Sequence, residues 1–176
     1  MIKKVTISNR LDILDFFKTM KNYVIMRIDD NFPIYKYSDD IDILTNDLEG
    51  IKQHIMKVGE KHTNFKIRIN NGSGGKTHYH IDFLYKNETI DDFRFDVISD
   101  LNKFYKTLNI PNNYIEQVLE NKEIKTVNGI NVYIPKLSNE LELRYMEYKT
   151  KIDRKPKKIK HLKFIEKYPN VKFKKF

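Results

Sequence analysis

Residues 38–45 read Ser38-Asp39-Asp40-Ile41-Asp42-Ile43-Leu44-Thr45. From Asp40 onward, acidic and apolar side chains alternate, which is the pattern of a strand with one buried face. Ile41 and Ile43 point one way and the two carboxylates the other. Residues i and i+2 of a strand share a face and start about 7 Å apart, so Asp40 and Asp42 can converge on one cation. A hard divalent ion such as Mg²⁺ prefers oxygen ligands of this kind.

On either side of this stretch the chain alternates between helical and strand patterns. Ser8 can cap a helix over 9–21, and Tyr23–Ile28 is a short apolar strand. After the acidic strand, Asn46 or Asp47 caps a helix over 48–58, with Gly59 as its stop. Phe65–Ile69 and Thr77–Tyr85 flank a glycine-rich turn and form a hairpin, and Phe93–Ile98 adds a further strand. A helix over 113–121 follows Pro111. Asn128-Gly129 between two β-rich runs signals a second hairpin over 124–134. Asn139 and Glu142 suggest a capping box for a helix over 139–152, and a basic helix over 157–168 follows Pro156. The expected class is α+β or α/β: a mixed sheet flanked by helices, with a C-terminal β-hairpin and a basic helical extension. Residues 1–110 are expected to form the core and 111–176 the extension, packed as one unit.

The chain has 176 residues, 40% of them hydrophobic, enough for one domain with a core. It has no cysteine, which removes disulfides and thiolate metal sites. Residues 1–8 contain no apolar run of signal-peptide length, and no segment approaches the roughly 20 apolar residues of a membrane span. A cytoplasmic protein with no membrane partner is expected. The net charge of +9 is unevenly placed: 149–176 carries twelve Lys/Arg against Asp153 and Glu166, so this tail holds +10 and the rest −1. Such a tail suits phosphates, RNA or another anionic partner.

The whole stretch 38–45, with its helix–strand–loop–acidic strand–helix setting over about residues 8–100, resembles the nucleotidyltransferase-fold superfamily, which includes the DNA polymerase β-like enzymes. Val132-Tyr133-Ile134-Pro135 and the helix with Glu142, Arg144 and Glu147 are similar to segments that follow the catalytic core in many bacterial members. The resemblance implies a Mg²⁺- or Mn²⁺-dependent transfer of a nucleotidyl group from a nucleoside triphosphate to a small molecule, sugar or RNA. It implies Asp40 and Asp42 as catalytic metal ligands and a third carboxylate on a later strand. Asp82, in Tyr79-His80-Ile81-Asp82-Phe83-Leu84, is the favoured third acid, and Asp96, in Arg94-Phe95-Asp96-Val97-Ile98, is the second choice. Family members usually carry a Gly-Ser turn about ten residues upstream that holds the triphosphate. Here that region reads Met26-Arg27-Ile28-Asp29-Asp30-Asn31, with neither residue.

Ser38, Arg68 and Arg94 are the candidates for nucleotide binding. Ser38 offers a hydroxyl, and the arginines suit bidentate phosphate contacts, with ion pairs to Asp82 or Asp96 as the alternative. His78, His80 and Asp82 share a strand face and could bind a transition metal, carry protons or simply face solvent. Gly72, Gly74, Gly75 and Lys76 form a hairpin loop or a phosphate cradle. Tyr35, Tyr37, Tyr145 and Tyr148 pack in the core or stack on a base. His54, His62 and His161 have no partner visible in sequence. The functional alternative to an enzyme is a catalytically degenerate relative that binds nucleic acid or nucleotide through the basic C-terminus.

Overall fold

The structure, a computed structural model, describes residues 12–28, 31–35, 39–61, 65–71, 74–86 and 88–176. The acidic stretch forms β2 (Asp40–Thr45), which lies between β1 (Tyr23–Ile25) and β5 (Glu88–Ile98). Strands β3 (Phe65–Asn71), β4 (Lys76–Tyr85) and β5 form an antiparallel meander. The sheet order is β1-β2-β5-β4-β3, with β5 parallel to β2 and every other pair antiparallel. The class is therefore α+β, with a five-stranded mixed sheet flanked by helices. Gly74 and Gly75, at φ +82° and +73°, make the turn into β4. A Cβ on Gly75 would stand 2.3 Å from the Asp100 carbonyl oxygen, so a side chain there would collide with backbone.

The two sheet faces differ in what covers them. Ile43, Tyr79, Ile81, Phe93, Phe95 and Val97 pack under α1 (Leu14–Phe17) and α2 (Leu48–Gly59) in a single apolar core. Phe95 is central there, edge-on to both Phe16 at 5.0 Å and Phe93 at 4.9 Å. On the opposite face, Val24, Met26, Leu44 and Ile98 pack under α3 (Leu101–Phe104), α4 (Tyr114–Glu120) and α5 (Leu137–Lys151). That second core ends at Leu44 and Ile98. One pleat further on, the same face turns from apolar to charged, and the carboxylates stand at this border.

Several expected boundaries shift, for identifiable reasons. Asp47 caps α2 by accepting from the Gly50 N–H at 2.9 Å. Gly59 is the last residue of α2 rather than a left-handed stop. A Cβ there would lie 2.4 Å from the Ile67 side chain, so it serves the contact with β3. Asn139 does not cap α5, which starts two residues earlier; its amide donates to Glu142 at 3.1 Å. Asn128 and Gly129, at φ 48° and 77°, close the hairpin of β6 (Glu123–Val127) and β7 (Ile130–Ile134). The basic segment is a 3-10 turn, Pro156–Lys158, followed by α6 (Ile159–Ile165). The proposed cap Ser8 lies outside the described residues. Among the described residues, no helix is long and apolar enough to cross a membrane.

Candidate functional site

Sheet register decides which carboxylates meet. Asp42 on β2 is paired across the ladder with Asp96 on β5, and Asp40 with Arg94. Carboxylate oxygens of Asp40, Asp42 and Asp96 all lie within 4.8 Å of one another. Asp40 is exposed, Asp42 half-buried and Asp96 fully buried. The cluster thus has a rigid base and an open side.

Asp82, the favoured third acid, does not join them. It lies on the same sheet face, because residues 78, 80 and 82 alternate in step with 92, 94 and 96. Asp96 faces His78, however, and Asp82 is four residues further along β4. At about 3.4 Å per residue that is roughly 13 Å away. Arg68 holds Asp82 there through Nε and through Nη2 at 2.8 Å, so Arg68 is also remote from the cluster. His78, His80 and Asp82 do not gather either: His78 Nδ1 contacts Asp96, and His80 Nδ1 contacts Asp92 at 3.3 Å. Ser38 and Tyr37 lie outside the described residues. Tyr35 packs on Phe93 and Tyr145 on Phe173.

Cations surround the three acids. Arg94 reaches Asp40 at 2.9 Å and Asp96 at 2.7 Å. Lys76 contacts Asp96 and lies 3.5 Å from Asp42. Arg27, from the loop after β1, donates to Asp42. Burial alone would raise the Asp96 pKa, but Lys76, His78 and Arg94 outweigh it and hold the carboxyl below its usual range. Burial likewise opposes the Arg27 charge, and Asp42, with Tyr105 and Glu147, more than restores it.

A cleft of about 720 Å³ opens above this border. Asp40, Asp42, Lys76 and Arg94 line one side, and α5 with the 155–167 segment lines the other. Glu147 ties that second wall together. It is buried and accepts from Tyr105 at 3.1 Å, Lys151 at 2.8 Å and Lys158. Burial would push its pKa up, but Lys151, Lys158 and Arg27 bring it down to about 2. Arg144 stacks on Phe164 at 3.7 Å, which fixes α6 against α5. His161 on α6 is buried in the same wall. Lys76, Glu147 and His161 were not assigned to the acid site by sequence. Their only prior signal was proximity to glycines, to a family-like helix and to the basic run.

No family model and no curated protein matches this chain. A crystal structure from H. pylori that carries a provisional nucleotidyltransferase name aligns with 11% identity and a TM-score of 0.35. The alignment covers 80% of this chain and 64% of that one. That score is too low to establish a shared fold.

Proposed function

We propose that this protein is a metal-dependent nucleotidyltransferase whose Asp40, Asp42 and Asp96 hold Mg²⁺ or Mn²⁺ at the mouth of the basic cleft. One observation carries the reading: three carboxylates from two paired strands converge on one sheet face, within 4.8 Å, beside a cleft lined by lysines and arginines. The donor set fits the ion. All three groups offer hard oxygen, and Asp40 leaves one side open for water and phosphate. The Lys76 amine contacts Asp96 and lies 3.5 Å from Asp42, between the carboxylates that would hold the ion. When bound, the ion would neutralise phosphate charge and help activate an acceptor hydroxyl.

The chain's own residues supply the rest. Asp96 is pinned by Arg94 and His78, which fixes the direction of its free lone pairs. Arg27, from the loop after β1, donates to Asp42 and orients it. Positive charge on the far wall draws an anionic substrate into the cleft. The acceptor class, whether small molecule, sugar or RNA, is left to the assay.

A second reading has one observation in its favour. Lys76, Arg27 and Arg94 already neutralise the three acids, as they would in a degenerate relative that binds nucleic acid or nucleotide without catalysis. Calorimetric titration with Mn²⁺ separates the two, combined with pyrophosphate release from each of four nucleoside triphosphates offered with sugar and RNA acceptors. The enzyme reading expects saturable Mn²⁺ binding and pyrophosphate release, both lost in Asp42→Asn with the fold intact. A wild-type chain with no Mn²⁺ affinity leaves the degenerate reading.

A further inference from the structure

His161 is the side chain in the cleft that the acid cluster leaves unexplained. It is 1% exposed, and neither ring nitrogen has a hydrogen-bond partner among the described residues. Buried polar atoms are nearly always bonded, so this ring calls for a partner that the described residues do not supply. Its surroundings indicate the sign of that partner. Arg27, Lys158 and Arg144 act on it, against Glu147. Burial and these cations push its pKa down to about 3, so near neutral pH the ring is uncharged, with one N–H to donate and one nitrogen to accept.

The cations of the cleft fall into two layers. The inner ones are engaged: Arg144 with Glu140, and Lys151 and Lys158 with Glu147. The outer ones, Lys155, Lys157, Lys160, Lys163 and Lys167, line the same cleft, and none forms a salt bridge among the described residues. A ligand that answers both features needs oxygen acceptors at its inner end and negative charge repeated along its length. A chain of phosphates has both properties.

We propose that His161 and the lysine rim at 155–167 form a polyphosphate site that holds the phosphate chain of a nucleotide. The terminal phosphate accepts from the His161 ring N–H, and the following phosphates lie along the lysines. This site takes the place of a glycine-serine turn upstream of the acidic strand. The proposal deepens the nucleotidyl-transfer reading and rests on it for the identity of the nucleotide. A nucleotide suits the cleft better than a nucleic-acid backbone does, because a backbone tracks exposed surface and His161 is buried at the wall.

The test is calorimetric titration of the full chain with inorganic tripolyphosphate in EDTA, repeated in His161→Phe, in Lys160→Gln/Lys163→Gln/Lys167→Gln and in Asp42→Asn. Wild type is expected to bind saturably. His161→Phe should weaken binding at least fivefold, and the triple variant at least tenfold with a shallower salt dependence. If His161→Phe does not fold, nitrogen NMR of the wild-type ring replaces it, and tripolyphosphate should shift the His161 ring signals. Asp42→Asn should lose Mn²⁺ but keep tripolyphosphate, so failure of the metal reading and failure of the phosphate site are seen separately. Absence of binding to wild type overturns the proposal. So does unchanged affinity in His161→Phe, or an unmoved ring signal. Binding of single-stranded RNA that depends on the lysines but not on His161 also overturns it, in favour of surface contact with a nucleic acid.

Discussion

Asp82 and Asp96 look alike in sequence and differ in the structure by one strand and four residues. Each sits among apolar neighbours on a strand, each is buried, and both point to the same sheet face. Asp96 lies on β5 beside β2, where it meets two other carboxylates and three cationic or titratable partners. Asp82 lies on β4, where it pairs across the ladder with Asp92 and is held by Arg68, away from Asp40 and Asp42. Alternation along a strand thus selects the face. Register between strands selects the site, and it is written in no single segment.

The largest expected difference between the two is in stability. Asp96→Ala removes a fully buried carboxylate that both Lys76 and Arg94 contact, leaves those cations only their longer contacts with Asp42 and Asp40, and should cost about 4 kcal/mol. Asp82→Ala releases Arg68, whose side chain is 44% exposed and can turn to water, so about 1 kcal/mol is expected. Urea unfolding of both variants measures the gap. Equal losses would mean that the cations around Asp96 contribute no more than a surface pair.

The legible parts of the chain were those fixed by local pattern. Asp40–Leu44 announced a half-buried strand, Asn128-Gly129 a hairpin, and the lysines after Pro156 a basic helical segment. Asp82 does not meet Asp40 and Asp42 because β5 inserts between β2 and β4, and that pairing depends on the meander as a whole. The short helix α3 escaped notice because four residues carry too little periodicity. His54 showed no sequence partner, yet its ring meets the Phe16 carbonyl at 2.7 Å, a contact 38 residues distant in sequence. Glu147 stood in a helix with a family-like pattern, but nothing local showed what it contacts. Its role follows from the chain returning to place Lys158 beside it.

Glu147 extends the Asp96 case to the opposite wall, since it too is a buried carboxylate ringed by cations. Its pKa falls from 4.5 to about 2 on folding. A depressed carboxylate pKa stabilises the fold above the unfolded value and loses that contribution as pH drops through the folded one. The window is therefore pH 4.5 down to about 2, and a shift of this size corresponds to about 3 kcal/mol. Asp96, also depressed, acts in the same direction. Urea midpoints measured from pH 6 to pH 2 should fall steeply in wild type and more gently in Glu147→Gln. Parallel curves would show that Lys151 and Lys158 do not favour the ionised form.

The smallest expected effect gives the sharpest view of the cluster. Lys76 places its amine on Asp96 and 3.5 Å from Asp42, in the space a bound cation would need. Its side chain is 17% exposed and its amine lies 5.6 Å from the centre of the Phe104 ring, so methionine keeps much of the packing while removing the charge. With the amine gone, Asp42 and Asp96 lose a competitor and the site becomes one unit more negative. Mn²⁺ should then bind about tenfold more tightly in Lys76→Met, equivalent to about 1.4 kcal/mol. Asp82→Asn in the same titration should leave the affinity unchanged, because its carboxylate stands roughly 13 Å along the strand. Tighter binding in Lys76→Met but not in Asp82→Asn would place the ion at the β2–β5 border. Unchanged affinity in Lys76→Met would mean that the carboxylates do not close around a metal where the lysine now sits. A response to Asp82→Asn would move the site up the sheet, to the position that sequence alone had favoured.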